Sequence, residues 1–176
     1  MAKIALTGKL RSGKDSVAFE FFKYGYHGYK LSMGITEIIQ TYFSGDLDSG
    51  KKLRNHYTNI GQNLRQLDDL VWVKRTWNEI ERDHLLTSCE NVIITDLRQK
   101  NEEEFLRNKG FIIVKVECAD QLRIERSLSI DKDFDLNQLV HETELSVDEI
   151  TADYVIKNEG ALKDLKNEVL NLIDRL

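Results

Sequence analysis

Proline is absent from all 176 residues, and cysteine, methionine and tryptophan occur only twice each. Without proline there is no cis-prolyl turn. Cys89 and Cys118 cannot form a metal-type cluster; they fit a reduced, cytoplasmic setting in which each thiol is a small buried hydrophobe. No apolar run approaches the roughly 20 residues that span a bilayer, and no apolar stretch with a cleavage site is seen near the start. Neither a membrane nor a secretory destination is expected. Basic residues are also short: 25 Lys and Arg against 30 Asp and Glu, a net charge of −5. A general binder of nucleic-acid polymers carries a basic surplus or stripe, so that class is disfavoured. A small anion needs only a local cluster of cations and remains open. The chain has no G-x-S-x-G elbow, no Cys/His nucleophile pair and no N-K-x-D. It also lacks a glycine two residues after a switch-type Asp-x.

What remains is an ordinary globular balance, 41% hydrophobic and 31% charged, at a length that fits one domain with a real core. "KIALT" (Lys3–Thr7), "NVIITD" (Asn91–Asp96), "FIIVKVEC" and "DYVIKN" are short apolar runs readable as buried strands. Between them lie helical patterns: Ser16–Tyr24, a second helix from near Ile35, and Leu53–Leu86 broken near Gln66–Asp69. A helix follows in "QKNEEEFLRNKG", with Gly110 as its C-cap, then another over Gln121–Ser129 and a terminal one over Ala161–Leu176. Gly25–Lys30 reads as a loop, Asp46–Lys51 as a polar connection, and Asp131–Asp135 as an acidic break. Strands alternating with helices predict an α/β domain built on a parallel sheet covered on both faces.

"GKLRSGKDS" follows the first strand and opens the first helix. Gly8, Gly13 and Lys14 have the spacing of the phosphate-binding motif G-x-x-x-x-G-K-[ST], but Asp15 stands where the hydroxyl belongs. The context is the one the mechanism requires. Backbone N–H groups of Lys9–Lys14, through Arg11 and Ser12, are expected to wrap a β-phosphate at the helix N-terminus. The two glycines would permit the turns, and Lys14 would reach the β- and γ-phosphates. Asp15 is a hard-cation ligand for Mg²⁺, directly or through water. Ser16 points about 100° further round the helix, toward an α-phosphate.

Asp96 ends an apolar strand, where open α/β sheets bind ligands, and matches a Mg²⁺-holding carboxylate; a turn or N-cap role is the alternative. Arg98, two residues on, suits an acceptor phosphate or an ion pair with Glu102 or Glu103. Arg123 and Arg126 share a helix face and suit either a lid clamping transferring phosphate or a solvated basic face. Gln62 and Arg65 are i, i+3 neighbours that could line an acceptor pocket. Trp72 and Trp77 are readable as core or as base-stacking rings, and Lys74 and Arg75 as a solvated face. His141 and Glu144 make only two potential metal ligands, so a capped helix end is the plainer reading.

Together, "SGKDS", "IITDLRQKNEEEFLRNKGFIIVKV" and "HETELSVDEITADYVIKNEG" resemble the P-loop small-molecule kinases. The chain is most similar to the phage-type deoxynucleoside monophosphate kinases, and at the same stretches to the animal-type phosphomevalonate kinases. The resemblance implies a three-layer P-loop fold with a mostly parallel five-stranded sheet, an acceptor-binding insertion at about 32–81 and a lid at about 120–144. It implies ATP and Mg²⁺, and transfer of the γ-phosphoryl group onto a small-molecule phosphate acceptor, with a deoxynucleoside monophosphate first in line. Phosphomevalonate, dephospho-coenzyme A, or a nucleotide-binding regulator without turnover are the alternatives. On the same analogy Lys14, Arg123 and Arg126 stabilise the transferring group and Asp96 holds the metal. Asn158–Gly160 packs along the donor adenine, and Ser32, Gln62, Arg65, Trp72 and Arg98 serve the acceptor. Tyr29 is a further candidate for base contact. A monomer or homodimer is expected, with no polymer or membrane partner.

Overall fold

The computed structural model describes residues 2–48, 53–87, 91–130 and 145–176. They form two compact units, Met1–Gly28 with Glu90–Leu176, and Tyr29–Cys89. The acceptor-side insertion expected at about 32–81 falls within the second unit.

The first unit is built on a five-stranded sheet of order β2-β3-β1-β4-β5, comprising β1 (Lys3–Thr7), β2 (Tyr26–Tyr29), β3 (Asn91–Leu97), β4 (Ile112–Glu117) and β5 (Tyr154–Lys157). The pairs β1–β3, β1–β4 and β4–β5 are parallel, and helices cover both sides of the sheet. Ile4, Ala5, Leu6 and Thr7 are all fully buried. That is why β1 reads as a continuous apolar run rather than an alternating one: a central parallel strand has no solvent face.

Alternation appears instead in which layer each residue joins. Ile4, Leu6, Ile93, Val114 and Val116 share one core cluster with Val17, Ala18 and Phe21 of α1 (Lys14–Lys23) and Leu165, Val169 and Leu172 of the C-terminal helix, α8 (Leu162–Ile173). Between α1 and that last helix lie α2 (Met33–Tyr42), α3 (Ser44–Asp48), α4 (Arg54–Leu67), α5 (Val71–Thr87), α6 (Lys100–Asn108) and α7 (Asp120–Ile130). Helix α6 starts with a capping box in which Glu102 accepts from the N–H of Gln99 at 3.2 Å. Its C-cap is Lys109, not Gly110, which follows it in the left-handed region at φ 81°.

Two elements differ from the sequence reading. "YHGY" forms strand β2, not a loop: it is only four residues long and contains Gly28, so it carries almost no hydrophobic pattern. Its Tyr26 nonetheless buries its ring edge-on against Phe21, with centroids 5.0 Å apart. Ser44–Asp48 forms the short helix α3 where a polar connection was expected. The acidic break at Asp131–Asp135, His141, Glu144, Cys89 and residues 49–52 lie outside the described residues.

Candidate active site

The chain leaves β1 into the loop Gly8–Gly13 and re-enters regular structure as α1. Three loop residues have positive φ: Gly8 at 144°, Arg11 at 63° and Gly13 at 102°. A Cβ on Gly8 would collide with the Val116 carbonyl and the Ser12 hydroxyl; on Gly13 it would collide with the Asn158 side-chain amide. Both glycines are therefore required twice over, by backbone conformation and by close approach. No side chain caps α1 at Gly13, and the first N–H groups of an α-helix have no acceptor within the helix itself. The uncapped N-terminus, with its partial positive charge, is a ready anion site.

Lys14 is 9% exposed, and its ammonium donates to the carbonyls of Gly8 at 2.5 Å and Lys9 at 3.1 Å. The expectation that every N–H from Lys9 to Lys14 faces a phosphate needs correction. Ser12 N–H is committed to the Lys9 carbonyl at 3.1 Å, closing a turn inside the loop. Four buried polar atoms in this region find no protein partner among the described residues: Thr7 Oγ1, Ser12 Oγ, Thr95 Oγ1 and Arg11 Nε. They sit on the loop or at the carboxyl ends of β1 and β3. Unsatisfied buried polar atoms are rare and call for a ligand or water, so the loop fits a polyphosphate. Thr7 and Thr95 were missed in the sequence; their only signal is a hydroxyl closing an otherwise apolar run.

Asp96 is the penultimate residue of β3, half-buried, and its neighbour Leu97 stands in register with Thr7 at the end of β1. After β1 the chain passes into α1 on one face of the sheet, and after β3 into α6. Their adjacent carboxyl ends form the kind of crevice in which α/β sheets take ligands. Asp15, in the first turn of α1, is exposed. No three potential metal-ligating side chains cluster among the described residues. Asp15 and Asp96 are two carboxylates that could hold Mg²⁺ together with water and phosphate, as is usual for this ion.

Arg123 and Arg126, expected to clamp transferring phosphate, have other partners. Arg123 is 3% exposed; its Nε donates to the Leu10 carbonyl at 2.8 Å and its Nη1 to Asp120 at 2.5 Å. Arg126 reaches the carbonyls of Arg11 at 3.4 Å and Asn158 at 3.2 Å, and the Cys118 sulfur at 3.2 Å. Both therefore tie α7 to loop carbonyls. Burial pushes the Cys118 thiol above its ordinary pKa. Asn158, expected beside an adenine, is 7% exposed and donates through Nδ2 to the Ser12 carbonyl at 2.8 Å. Gly160 is exposed and precedes the start of α8, where Asp164 accepts from the Ala161 N–H at 3.1 Å. Lys9 pairs at 2.8 Å with Asp148, in the 3₁₀ turn Ser146–Glu149. A cavity of about 230 Å³ borders the loop, lined among others by Lys9, Ser12, Cys118, Asp120, Arg123 and Glu159.

Arg98 follows β3, and its carbonyl accepts from the Ser146 hydroxyl at 3.0 Å. Glu102, offered as its ion-pair partner, bonds the backbone N–H of Arg98 at 3.4 Å and that of Gln99. Glu103 instead engages Lys100 and Arg107, each at 2.8 Å.

In the second unit, Ser32 precedes α2 and accepts from the Thr36 hydroxyl at 3.1 Å. Gln62 and Arg65 lie on α4, both partly exposed. Trp72 is corrected to core: its ring is 3% exposed and its indole N–H donates to the Gly61 carbonyl at 3.2 Å, leaving no face for stacking a base. Tyr29 donates its hydroxyl to Asp83 at 3.1 Å. Lys74 is paired with Asp68 at 2.8 Å, and Arg75 with Glu37 and Glu79.

No protein-family model matches the chain. Over 197 aligned residues it is 26% identical to the dephospho-CoA kinase of Bacillus licheniformis, spanning 97% of this chain and 94% of that protein. Among solved structures, shikimate kinase from Acinetobacter baumannii superposes with a TM-score of 0.61 at 19% identity, covering 99% of this chain and 94% of that one. TT1252 from Thermus thermophilus gives 0.61 at 17% identity, covering 100% and 99%. Dephospho-CoA kinase from Campylobacter jejuni gives 0.56 at 12% identity, covering 98% and 96%. The five-stranded parallel sheet, the glycine loop after β1 and these superpositions together establish the α/β fold of the P-loop kinases.

Proposed function

We propose that the protein transfers the γ-phosphoryl group of ATP to a small phosphorylated acceptor, a (deoxy)nucleoside 5′-monophosphate, giving the diphosphate and ADP. The observation that carries this reading is the Gly8–Ser16 loop. Its positive-φ glycines, uncapped helix N-terminus and buried lysine stand beside the carboxylate-bearing end of β3. Bound ATP with Mg²⁺ would supply the transferable group and part of the charge neutralisation.

The chain's own residues orient and neutralise. The N–H groups at the start of α1 hold the phosphates, and Lys14 turns from the loop carbonyls to the β- and γ-oxygens, where negative charge gathers during transfer. Asp15 and Asp96 would hold the ion's water shell. An ionised acceptor phosphate needs no general base, so a catalytic histidine is unnecessary. Gln62 and Arg65 on α4 are assigned to the acceptor, Arg65 as the partner of its phosphate.

The 26% identity to a dephospho-CoA kinase over nearly the whole chain favours dephospho-coenzyme A as the second reading. There the accepting group is a hydroxyl, which must lose its proton, and Asp15 or Asp96 would have to take it. ADP release with ATP, Mg²⁺ and each candidate acceptor separates the two. Turnover with a nucleoside monophosphate supports the first reading, and turnover with dephospho-coenzyme A alone replaces it by the second. Tight ATP binding without turnover on any acceptor would make the protein a nucleotide-binding regulator.

A further inference from the structure

The carbonyls of the phosphate loop are held by side chains that come from the far end of the sequence. Arg123 Nε donates to Leu10 O at 2.8 Å and Asn158 Nδ2 to Ser12 O at 2.8 Å. Arg126 adds a longer contact to Arg11 O at 3.4 Å. In a trans peptide the carbonyl and the following N–H point in opposite directions. Fixing Leu10 O and Ser12 O outward therefore turns the N–H groups of Arg11 and Gly13 inward. The intervening Ser12 N–H is spent on Lys9 O. The loop thus presents Arg11 and Gly13, and then the uncapped first turn of α1, as one converging set of donors.

That arrangement is strained at Arg11, a non-glycine residue at φ 63°, and such strain persists only where surrounding contacts over-determine it. Gly13 matches: its missing Cβ is the space that the Asn158 amide occupies. Arg123 and Asn158 are 3% and 7% exposed, and their printed donors are engaged with the loop carbonyls and, for Arg123, with Asp120.

We infer that Arg123 and Asn158 are positioning residues that hold the loop's N–H groups toward the donor phosphates, rather than contacts to the nucleoside or to the transferring group. The role rests on reading the loop as the donor-phosphate site, and it is independent of which acceptor is used. Asn158 is anchored for this task by its own N–H, which donates to Glu117 O at 2.8 Å at the end of β4. Arg123 is oriented by Asp120.

The test uses the full chain and two probes, ADP and inorganic pyrophosphate, titrated calorimetrically into wild type, Asn158→Ala, Arg123→Met and Arg123→Lys. Pyrophosphate has no base or sugar, so it reads the loop alone. Loss of one brace is expected to weaken both probes by the same factor, about tenfold, the equivalent of one hydrogen bond. The ATP KM should rise by a similar factor, and Arg123→Lys should recover part of the loss through its remaining donor. Melting temperatures monitor folding, and Asn158→Ala carries the test if the buried arginine proves essential for folding. Weakened ADP with unchanged pyrophosphate would assign Asn158 to the nucleoside and overturn the inference. A fall in kcat alone for Arg123→Met, with both affinities intact, would restore Arg123 to the transferring group and overturn it too. Wild-type protein that binds neither probe would refute the donor-site reading itself. Wild-type binding with undiminished variants would refute only the positioning role.

Discussion

Replacing Glu103 by glutamine tests whether a buried carboxylate ties α6 to the segment leading into β5, and so to Asn158. Its side chain is 1% exposed and accepts from Lys100 Nζ at 2.8 Å, Arg107 Nε at 2.8 Å and Thr151 N–H at 3.2 Å. Arg107 continues the chain to Asp153 at 2.9 Å, which in turn accepts from Ile113 N–H of β4 at 2.7 Å. Glutamine keeps the shape but loses the charge and turns one acceptor into a donor facing donors. Breaking a fully buried pair costs about 3–5 kcal/mol. Here Lys100 and Arg107 both reach solvent and Arg107 keeps Asp153, so the expected loss is about 2–3 kcal/mol. For a chain of this size that lowers Tm by roughly 5–10 °C.

The pH dependence has a definite sign. Burial pushes the Glu103 carboxyl up, but the bonds from Lys100, Arg107 and Thr151 outweigh it, and the folded pKa lies below the ordinary value. A depressed folded pKa gives stability that is present above the unfolded value, about 4.3, and lost as pH falls through the folded one. Asp153 is shifted the same way: burial raises it, and the Ile113 N–H and Arg107 outweigh that. Urea denaturation of wild type and Glu103→Gln should therefore show the full gap at pH 7 and a gap narrowing below about pH 4. A gap that is negligible at pH 7, or that stays constant into acid, would refute the reasoning.

Three substitutions probe the chemistry directly. Lys14→Ala should lower kcat by roughly 10²–10³ while the circular dichroism stays native, because it removes charge at the transferring phosphoryl group; unchanged kcat would remove the loop from the mechanism. Asp15→Ala should raise the Mg²⁺ concentration needed for half-maximal rate, measured by ADP release at fixed ATP. An unaltered Mg²⁺ curve would leave Asp15 as a charge at the helix N-terminus only. Arg65→Ala should raise the acceptor KM by about tenfold or more and leave the ATP KM nearly unchanged, as loss of one charge-assisted contact predicts; equal effects on both would show that Arg65 does not serve the acceptor.

Local demands were readable from residue types. Gly8 and Gly13 announce backbone turns that only glycine adopts freely, Lys14 follows at the spacing of a helix start, and Asp96 closes a run of buried β-branched residues. The short strand β2 was hidden because four residues with a glycine among them carry no period; pairing with β3 supplies what propensity does not. Trp72 illustrates a different limit. A tryptophan on an amphipathic helix is compatible with core or with a stacking platform, and only the Gly61 carbonyl at its indole N–H decides between them.

The braces of the loop mark where sequence reading stops. Arg123 and Asn158 stand 113 and 146 residues from the carbonyls they hold, and no spacing rule spans such distances. Composition and pattern determined a parallel α/β domain with a glycine loop after its first strand, because those features follow from local backbone freedom and burial. Which side chains steady that loop was decided only by the tertiary structure. Parallel crossovers bring the carboxyl end of β4 beside that of β1 and that of β5 beside β4, so residues remote in sequence supply donors to the loop carbonyls.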